Sequence, residues 1–205
     1  TTRYVYDGKD RITSMFNDMD GDGIKDSSES GVDYSYTSAQ YPQYANIDGK
    51  EIVFNPDYEF TSSMGSLALV ENLVKEDFLL LEGDTFYEKQ LLEQLTRTSF
   101  PSCLSMTEET GSGDECYVET KLGFVTKITK DRHRVCNIEG EMIGVLKLSQ
   151  DVYRRMLYAY YSCTNPYINY EYLLMDVTDV LERPVIKFKN IIIFRKNSVF
   201  LRFLQ

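Results

Sequence analysis

The chain has 205 residues, 42% of them hydrophobic and 13% aromatic, enough apolar material for one buried core and too much for wholesale disorder. Its net charge of −10 (22 basic residues against 32 acidic) argues against nucleic acid as a partner, because phosphate backbones draw basic surfaces. No apolar run reaches eighteen residues, so no transmembrane helix is expected, and no N-terminal segment reads as a signal peptide.

The charge is uneven. No acidic residue follows Glu182, whereas Arg183, Lys187, Lys189, Arg195, Lys196 and Arg202 are all basic, leaving −16 on the first 182 residues and +6 on the last 23. Cys103, Cys116, Cys136 and Cys163 lie far apart with no CxxC pair, so reduced thiols in a cytoplasmic protein are expected rather than a disulfide framework or zinc knuckle. The chain opens on Thr1-Thr2, which suggests a fragment or processed product.

Residues 1–46 are rich in Asp, Ser, Gly and Tyr, poor in Leu, and show no sustained helical or strand periodicity; an irregular N-terminal segment is expected there. Within it, Asp18-Met-Asp20-Gly-Asp22-Gly23-Ile-Lys-Asp26-Ser-Ser-Glu29 satisfies the calcium-loop pattern D-x-D-x-D-G-x5-E. Carboxylates at alternate positions can wrap a hard cation, Gly23 permits the sharp turn, and Glu29 could close the shell through both oxygens. The loop lacks a convincing entering helix, and Ile24 sits at its seventh rather than eighth position, so it resembles Asp-rich calcium repeats more than an EF-hand. Tyr4-Val-Tyr6-Asp7 with Arg11-Ile12-Thr13 resembles one tyrosine-aspartate surface repeat. The competing reading of 18–29 is a solvated acidic loop.

From residue 47 onward the texture predicts a single α/β domain extending to 205. Residues 51–54 form a short strand closed by Asn55-Pro56-Asp57. Ser62 or Ser63 caps a helix that carries Leu67, Val70, Leu73 and Val74 on one face. The nearly continuous apolar run at 77–81 has the texture of a strand covered on both faces in a parallel sheet, and a helix through Leu91, Leu92 and Leu95 follows. Short connections imply a right-handed βαβ arrangement over 51–95. Strands are then expected near 102–107, 115–120, 123–129 and 142–148, helices near 150–162 and 168–181, and strands at 184–194 and 198–204. Gly111-Ser112-Gly113 is a loop, and no internal repeat is evident.

The buried strand runs into Glu82-Gly83-Asp84. Ligands in open α/β sheets bind beyond the carboxyl ends of strands; Gly83 lets backbone approach, and Asp84 offers a carboxylate for a divalent cation. The alternative is that Asp84 merely caps the next helix.

Phe54-Asn-Pro-Asp-Tyr-Glu-Phe-Thr-Ser-Ser-Met-Gly-Ser-Leu-Ala-Leu69 followed by Phe78-Leu-Leu-Leu-Glu-Gly-Asp84 resembles the sugar-phosphate nucleotidyltransferase superfamily, especially its phosphocholine cytidylyltransferase-like branch. Gly123–Lys130, Gly140–Ser149 and Asn169–Asp176 fit the later part of the same pattern, so the resemblance covers about 50–190. It implies a partial Rossmann-like mixed sheet flanked by helices. It also implies transfer of a nucleotidyl group, cytidylyl above others, from CTP or UTP to a phosphorylated small alcohol or sugar, with release of pyrophosphate. By that resemblance Asp84 holds Mg²⁺ and Lys130 contacts the acceptor phosphate, with Lys127 as the alternative. Ser62 and Ser63 lie near the base and acceptor, Ser66 opening or capping the helix, and Tyr170 and Glu171 (in Asn169-Tyr-Glu-Tyr172) form part of the acceptor pocket. Glu141 either faces the site or ends a hairpin. A quaternary ammonium would suit tyrosine faces and a carboxylate, although such a pair on a helix is often simple packing.

Two departures stand beside the match. Nothing in 1–50 resembles the family's glycine-rich triphosphate loop, since Gly21-Asp22-Gly23 is flanked by phosphate-repelling aspartates, and no Asp follows Asp179 to serve as second metal ligand. Two functions remain open. One is nucleotidyl transfer, incomplete in this chain or completed by a partner chain; the other is a non-catalytic calcium-binding module on a nucleotidyltransferase-like scaffold.

Overall fold

A computed structural model describes residues 1–9, 11–36, 42–47, 50–83, 87–111, 116–188 and 201–204; for 36, 42–47, 50, 181 and 201–204 it describes the backbone alone. Contacts divide the chain into two units, Thr1–Tyr58 and Glu59–Gln205.

The first unit is an antiparallel meander of β1 (Thr2–Tyr6), β2 (Ile12–Asn17), β3 (Gly31–Tyr36), β4 (Pro42–Ile47) and β5 (Lys50–Val53), paired in that order. Strands thus occupy a segment whose sequence shows no alternation. The physical reason is burial: among its described side chains Phe16, Asp18 and Glu29 are buried, and β1 is exposed along its whole length. Strands with few fully buried side chains need backbone pairing and β-prone Tyr, Val, Thr and Ile, not a hydrophobic stripe. The β1–β2 turn is closed by Asp7, whose carboxylate accepts from Lys9 N (2.8 Å), Arg11 N (3.1 Å) and Arg11 Nε (2.8 Å).

The strand expected at 51–54 belongs here. It is β5, antiparallel to β4 with Ala45 opposite Ile52, so it starts no parallel βαβ unit and falls within the first unit.

The second unit is a mixed sheet flanked by helices. Its spine runs β11 (Val185–Lys187), β7 (Cys103–Thr107), β10 (Gly140–Leu148), β6 (Phe78–Glu82), β12 (Leu201–Leu204); β8 (Tyr117–Lys121) pairs with β10 and with β9 (Phe124–Thr129). Both neighbours of β6 are antiparallel to it, and β11 with β7 is the parallel pair. Four consecutive buried residues in β6 mark a strand covered on both faces, a condition an interior antiparallel strand also meets.

One face is covered by α2 (Lys89–Arg97): Leu91 and Leu95 pack with Leu79, Leu81, Cys103, Ile143 and Val145. The alternate residue Phe78 meets Tyr153 edge to face at 5.4 Å. Tyr153 lies on α3 (Gln150–Ser162), capped by Ser149, whose hydroxyl accepts from Val152 N at 3.2 Å. Its own hydroxyl donates to Leu67 O of α1 (Ser63–Ala68) at 2.7 Å. α1 ends at Ala68 in a series of turns, earlier than the apolar spacing through Val74 suggests, although Val70 and Val74 remain buried. The helix expected at 168–181 is α4 (Tyr170–Val177) followed by a 3-10 turn at Val180–Glu182. The strand expectation at 184–194 lies partly outside the described residues, as does all of 198–204 but its last four positions.

Candidate active site

β6 and β7 end, and β10 begins, at the same end of the sheet, since Glu141 is opposite Thr107 and Val145 opposite Leu81. Two helix N-termini are stitched together there. The Ser62 hydroxyl donates to Asn169 Oδ1, Tyr170 N donates to Ser63 Oγ at 3.1 Å, and Met64 N donates to Ile168 O at 3.3 Å. These bonds satisfy polar groups that a helix start otherwise leaves open.

The stitch presents Tyr170 and Glu171 inward, both buried. Tyr170 donates its phenol proton to Glu82 Oε1 at 2.6 Å, and burial together with the Glu82 charge raises its pKa well above the ordinary phenol value. Glu171 is pushed up to about 7, first by burial and then by Glu82, while Lys130 and the Ser63 hydroxyl pull the other way. Its Oε2 is buried and has no hydrogen-bond partner. A dry carboxyl beside a second acid and a lysine, at the ends of strands, is the environment in which proteins place functional acids.

The structure therefore brings together Ser62, Ser63, Tyr170, Glu171 and, through its charge, the exposed Lys130. Lys127 is committed elsewhere: its ammonium donates to Arg134 O at 2.8 Å and lies 3.7 Å from Glu119. Ser66 sits inside α1, not at its start. Glu141 is fully buried at the same end of the sheet and accepts from Thr110 N (3.2 Å) and Thr110 Oγ1 (2.9 Å), bonds that tie down the segment after β7. Asp84 lies outside the described residues. Sequence reasoning passed over Glu82 and Gly144. The signal for Glu82 was present, as the charged residue that ends an apolar run just before Gly83-Asp84.

In the first unit, ligand oxygens of Asp18, Asp20 and Asp22 lie within 4.8 Å of one another. Asp18 is buried and accepts from Arg3 Nε (2.7 Å), Gly21 N (2.6 Å) and Gly23 N (3.2 Å); the Arg3 bond above all holds its carboxyl below the usual range. Gly21 and Gly23 take φ of +85° and +80°, which wrap the chain around that carboxylate. Asp26 turns to Ser28, accepting from its N (2.7 Å) and hydroxyl (2.6 Å). Glu29 accepts from Met19 N at 2.5 Å and Asp26 N at 3.4 Å. Three of the five expected calcium ligands converge, and all five accept hydrogen bonds from the loop's own backbone amides. The four cysteines are free thiols, Cys103 pushed up to about 12 by burial.

No family profile matches the chain. Among solved structures, the inositol-1-phosphate CTP transferase of T. maritima superposes with a TM-score of 0.58 at 21% identity, covering 71% of this chain and 59% of that one. The fold is nucleotidyltransferase-like. A structure described as a glucose-1-phosphate thymidylyltransferase from Bacillus anthracis, bound to sucrose, matches at a TM-score of 0.46 and 12% identity over 75% of this chain and 59% of its own, too weak to argue from. The chain thus spans about three-fifths of the length of each neighbour. Among the described residues no helix is long and apolar enough to cross a membrane.

Proposed function

We propose that residues 59–205 are the acceptor side of a nucleotidyltransferase, serving transfer of a nucleotidyl group, cytidylyl first, from CTP or UTP to a phosphorylated small alcohol or sugar, with pyrophosphate released. The observation that carries this is the convergence of Glu82, Lys130 and Ser63 on Glu171, with Tyr170 bonded to Glu82, at the strand ends of a nucleotidyltransferase-like sheet. Lys130 neutralises the acceptor's phosphate. Glu171, ionised in part near neutrality, takes a hydrogen-bond donor or cation on the acceptor's other end. Asp84 would hold Mg²⁺, which when bound offsets charge on the α-phosphate. A carboxylate oxygen is the donor type such a hard ion takes.

Turnover by this chain alone is expected to be below detection. Losing one preorganised donor to a developing charge costs on the order of 10²–10³ in rate, and residues 1–50 match no triphosphate loop. The test is calorimetry with phosphocholine, phosphoethanolamine, 2-aminoethylphosphonate and hexose 1-phosphates, beside a pyrophosphate-release assay with CTP and UTP. Binding of at least one acceptor supports the function; silence from all acceptors and both nucleotides ends it.

A second reading is favoured by the Asp18, Asp20 and Asp22 cluster: a calcium-binding first unit. Isolated oxygen-ligand loops bind Ca²⁺ in roughly the micromolar to millimolar range. Equal heats from wild type, Asp20→Ala and Glu29→Gln would leave only an acidic loop.

A further inference from the structure

Three elements meet on the carboxylate of Glu82, the last residue of β6. From α4, the fully buried Tyr170 reaches across 88 residues of sequence to donate to its Oε1. From β10, Gly144 makes room: a Cβ there would lie 2.2 Å from Glu82 Oε2 and 2.6 Å from its Cδ. Gly144 also takes φ of +80°, and the register of β10 against β7 slips between Met142 and Leu146. Beside Tyr170, the buried Glu171 keeps one oxygen without a partner.

Each of these features works against stability. A glycine at positive φ weakens a central strand, and a buried phenol–carboxylate pair beside a second acid rarely stabilises as well as apolar packing of the same volume. All of them converge on one side chain, which is how strain and buried polarity are arranged where geometry matters more than stability.

We propose that Glu82 is a positioning residue: through Tyr170 it holds the first turn of α4, and with it Glu171, at the exit of β6, where Gly83 leads to Asp84. Its part in acceptor binding rests on the function proposed above; the clamp itself does not. The groups facing Glu171 are Glu82 from β6, Lys130 following β9, the Ser63 hydroxyl from α1, and Tyr170 on its own helix, which Cys116 also faces. Gln at position 82 keeps an acceptor for the phenol and removes the charge, whereas Leu removes both. Tyr170→Phe removes the proton donor alone.

The experiment is NMR of the full chain with labelled carboxyl carbons and backbone amides, in wild type, Glu82→Gln, Glu82→Leu and Tyr170→Phe. In wild type Glu171 should titrate near 7. Glu82→Gln should lower that midpoint while leaving the amide shifts of Tyr170–Tyr172 and Ser63 in place, an outcome that mere structural support by Glu82 does not produce. Glu82→Leu and Tyr170→Phe should both displace those amides. If Glu82→Leu does not fold, Tyr170→Phe decides that arm. An unmoved Glu171 midpoint in Glu82→Gln, or unmoved amides in Tyr170→Phe, overturns the proposal. The same variants titrated with phosphocholine and CTP should show Tyr170→Phe weakening phosphocholine about tenfold and CTP less than twofold. Absence of binding by wild type to either probe counts against nucleotidyl transfer, and the clamp is then judged on the NMR alone.

Discussion

The two units of the chain are held together by different physics. In residues 59–205 the stability is apolar: Leu80, Leu81, Leu91, Leu95, Ile143 and Val145 are all fully buried, and buried polar groups sit toward the ends of the sheet, Thr107 and Glu141 at one and Ser102 and Ser149 at the other. In residues 1–58 the order comes from backbone ladders and from carboxylates. Asp7 closes a turn, Asp18 folds a loop around itself, and Asp33 accepts from Ser14 and Lys25, each at 2.6 Å. A sheet can therefore rest on a core or on charge, and the two respond to different perturbations.

The largest separation between the units should come from a cavity. Leu81→Ala is expected to cost residues 59–205 roughly 2–5 kcal/mol, as buried leucine truncations do, with amide exchange in residues 1–36 unchanged. Equal loosening of both units would remove the distinction.

The next contrast is pH, with opposite signs. Glu171 is raised from 4.5 to about 7 in the folded state, so the fold holds its proton more tightly than the unfolded chain does. Stability of the second unit should fall as pH rises from about 4.5 through about 7. Glu171→Gln should recover on the order of 3 kcal/mol above pH 7 and nothing below 4.5. In the first unit Asp7 is lowered from 3.8 to about 2, foremost by its bond from Arg11. Its contribution is present above the unfolded value and is lost as pH falls through about 2, so acid should open the β1–β2 hairpin without a matching loss in the second unit. Far-UV and near-UV dichroism followed from pH 8 to 2 would show two transitions; one coincident transition would contradict this.

What the sequence disclosed follows the same divide. Leu91 and Leu95, and the run Phe78–Leu81, are legible because helices and strands that bury a face must carry it in their pattern. The direction of β6's neighbours was not, because a run covered on both faces reads alike in parallel and antiparallel sheets. Nor were β1–β4, since few of their described side chains are buried and no apolar stripe marks them. At the site, Ser63, Tyr170, Glu171 and Lys130 came from the family resemblance. Glu82 and Gly144 did not, because a carboxylate's partner 88 residues away and a glycine's close approach are tertiary facts.

A smaller effect should come from the Asp18 loop. Saturating Ca²⁺ should slow amide exchange at Gly21 and Gly23, with a shift in midpoint temperature confined to the first unit; Asp20→Ala should abolish both. Protection unchanged by Ca²⁺ would assign the loop's order to Arg3 and its own amides alone.

The claim that residues 59–205 form an acceptor-phosphate site turns most directly on Lys130. Calorimetric titration of phosphocholine and of choline into wild type and Lys130→Ala puts that single charge to the test. An acceptor site predicts that wild type binds phosphocholine at least about tenfold more tightly than choline and that Lys130→Ala erases the difference, a tenfold ratio being about 1.4 kcal/mol. Equal affinities for the two ligands in wild type, or a preference for phosphocholine that survives in Lys130→Ala, would contradict it.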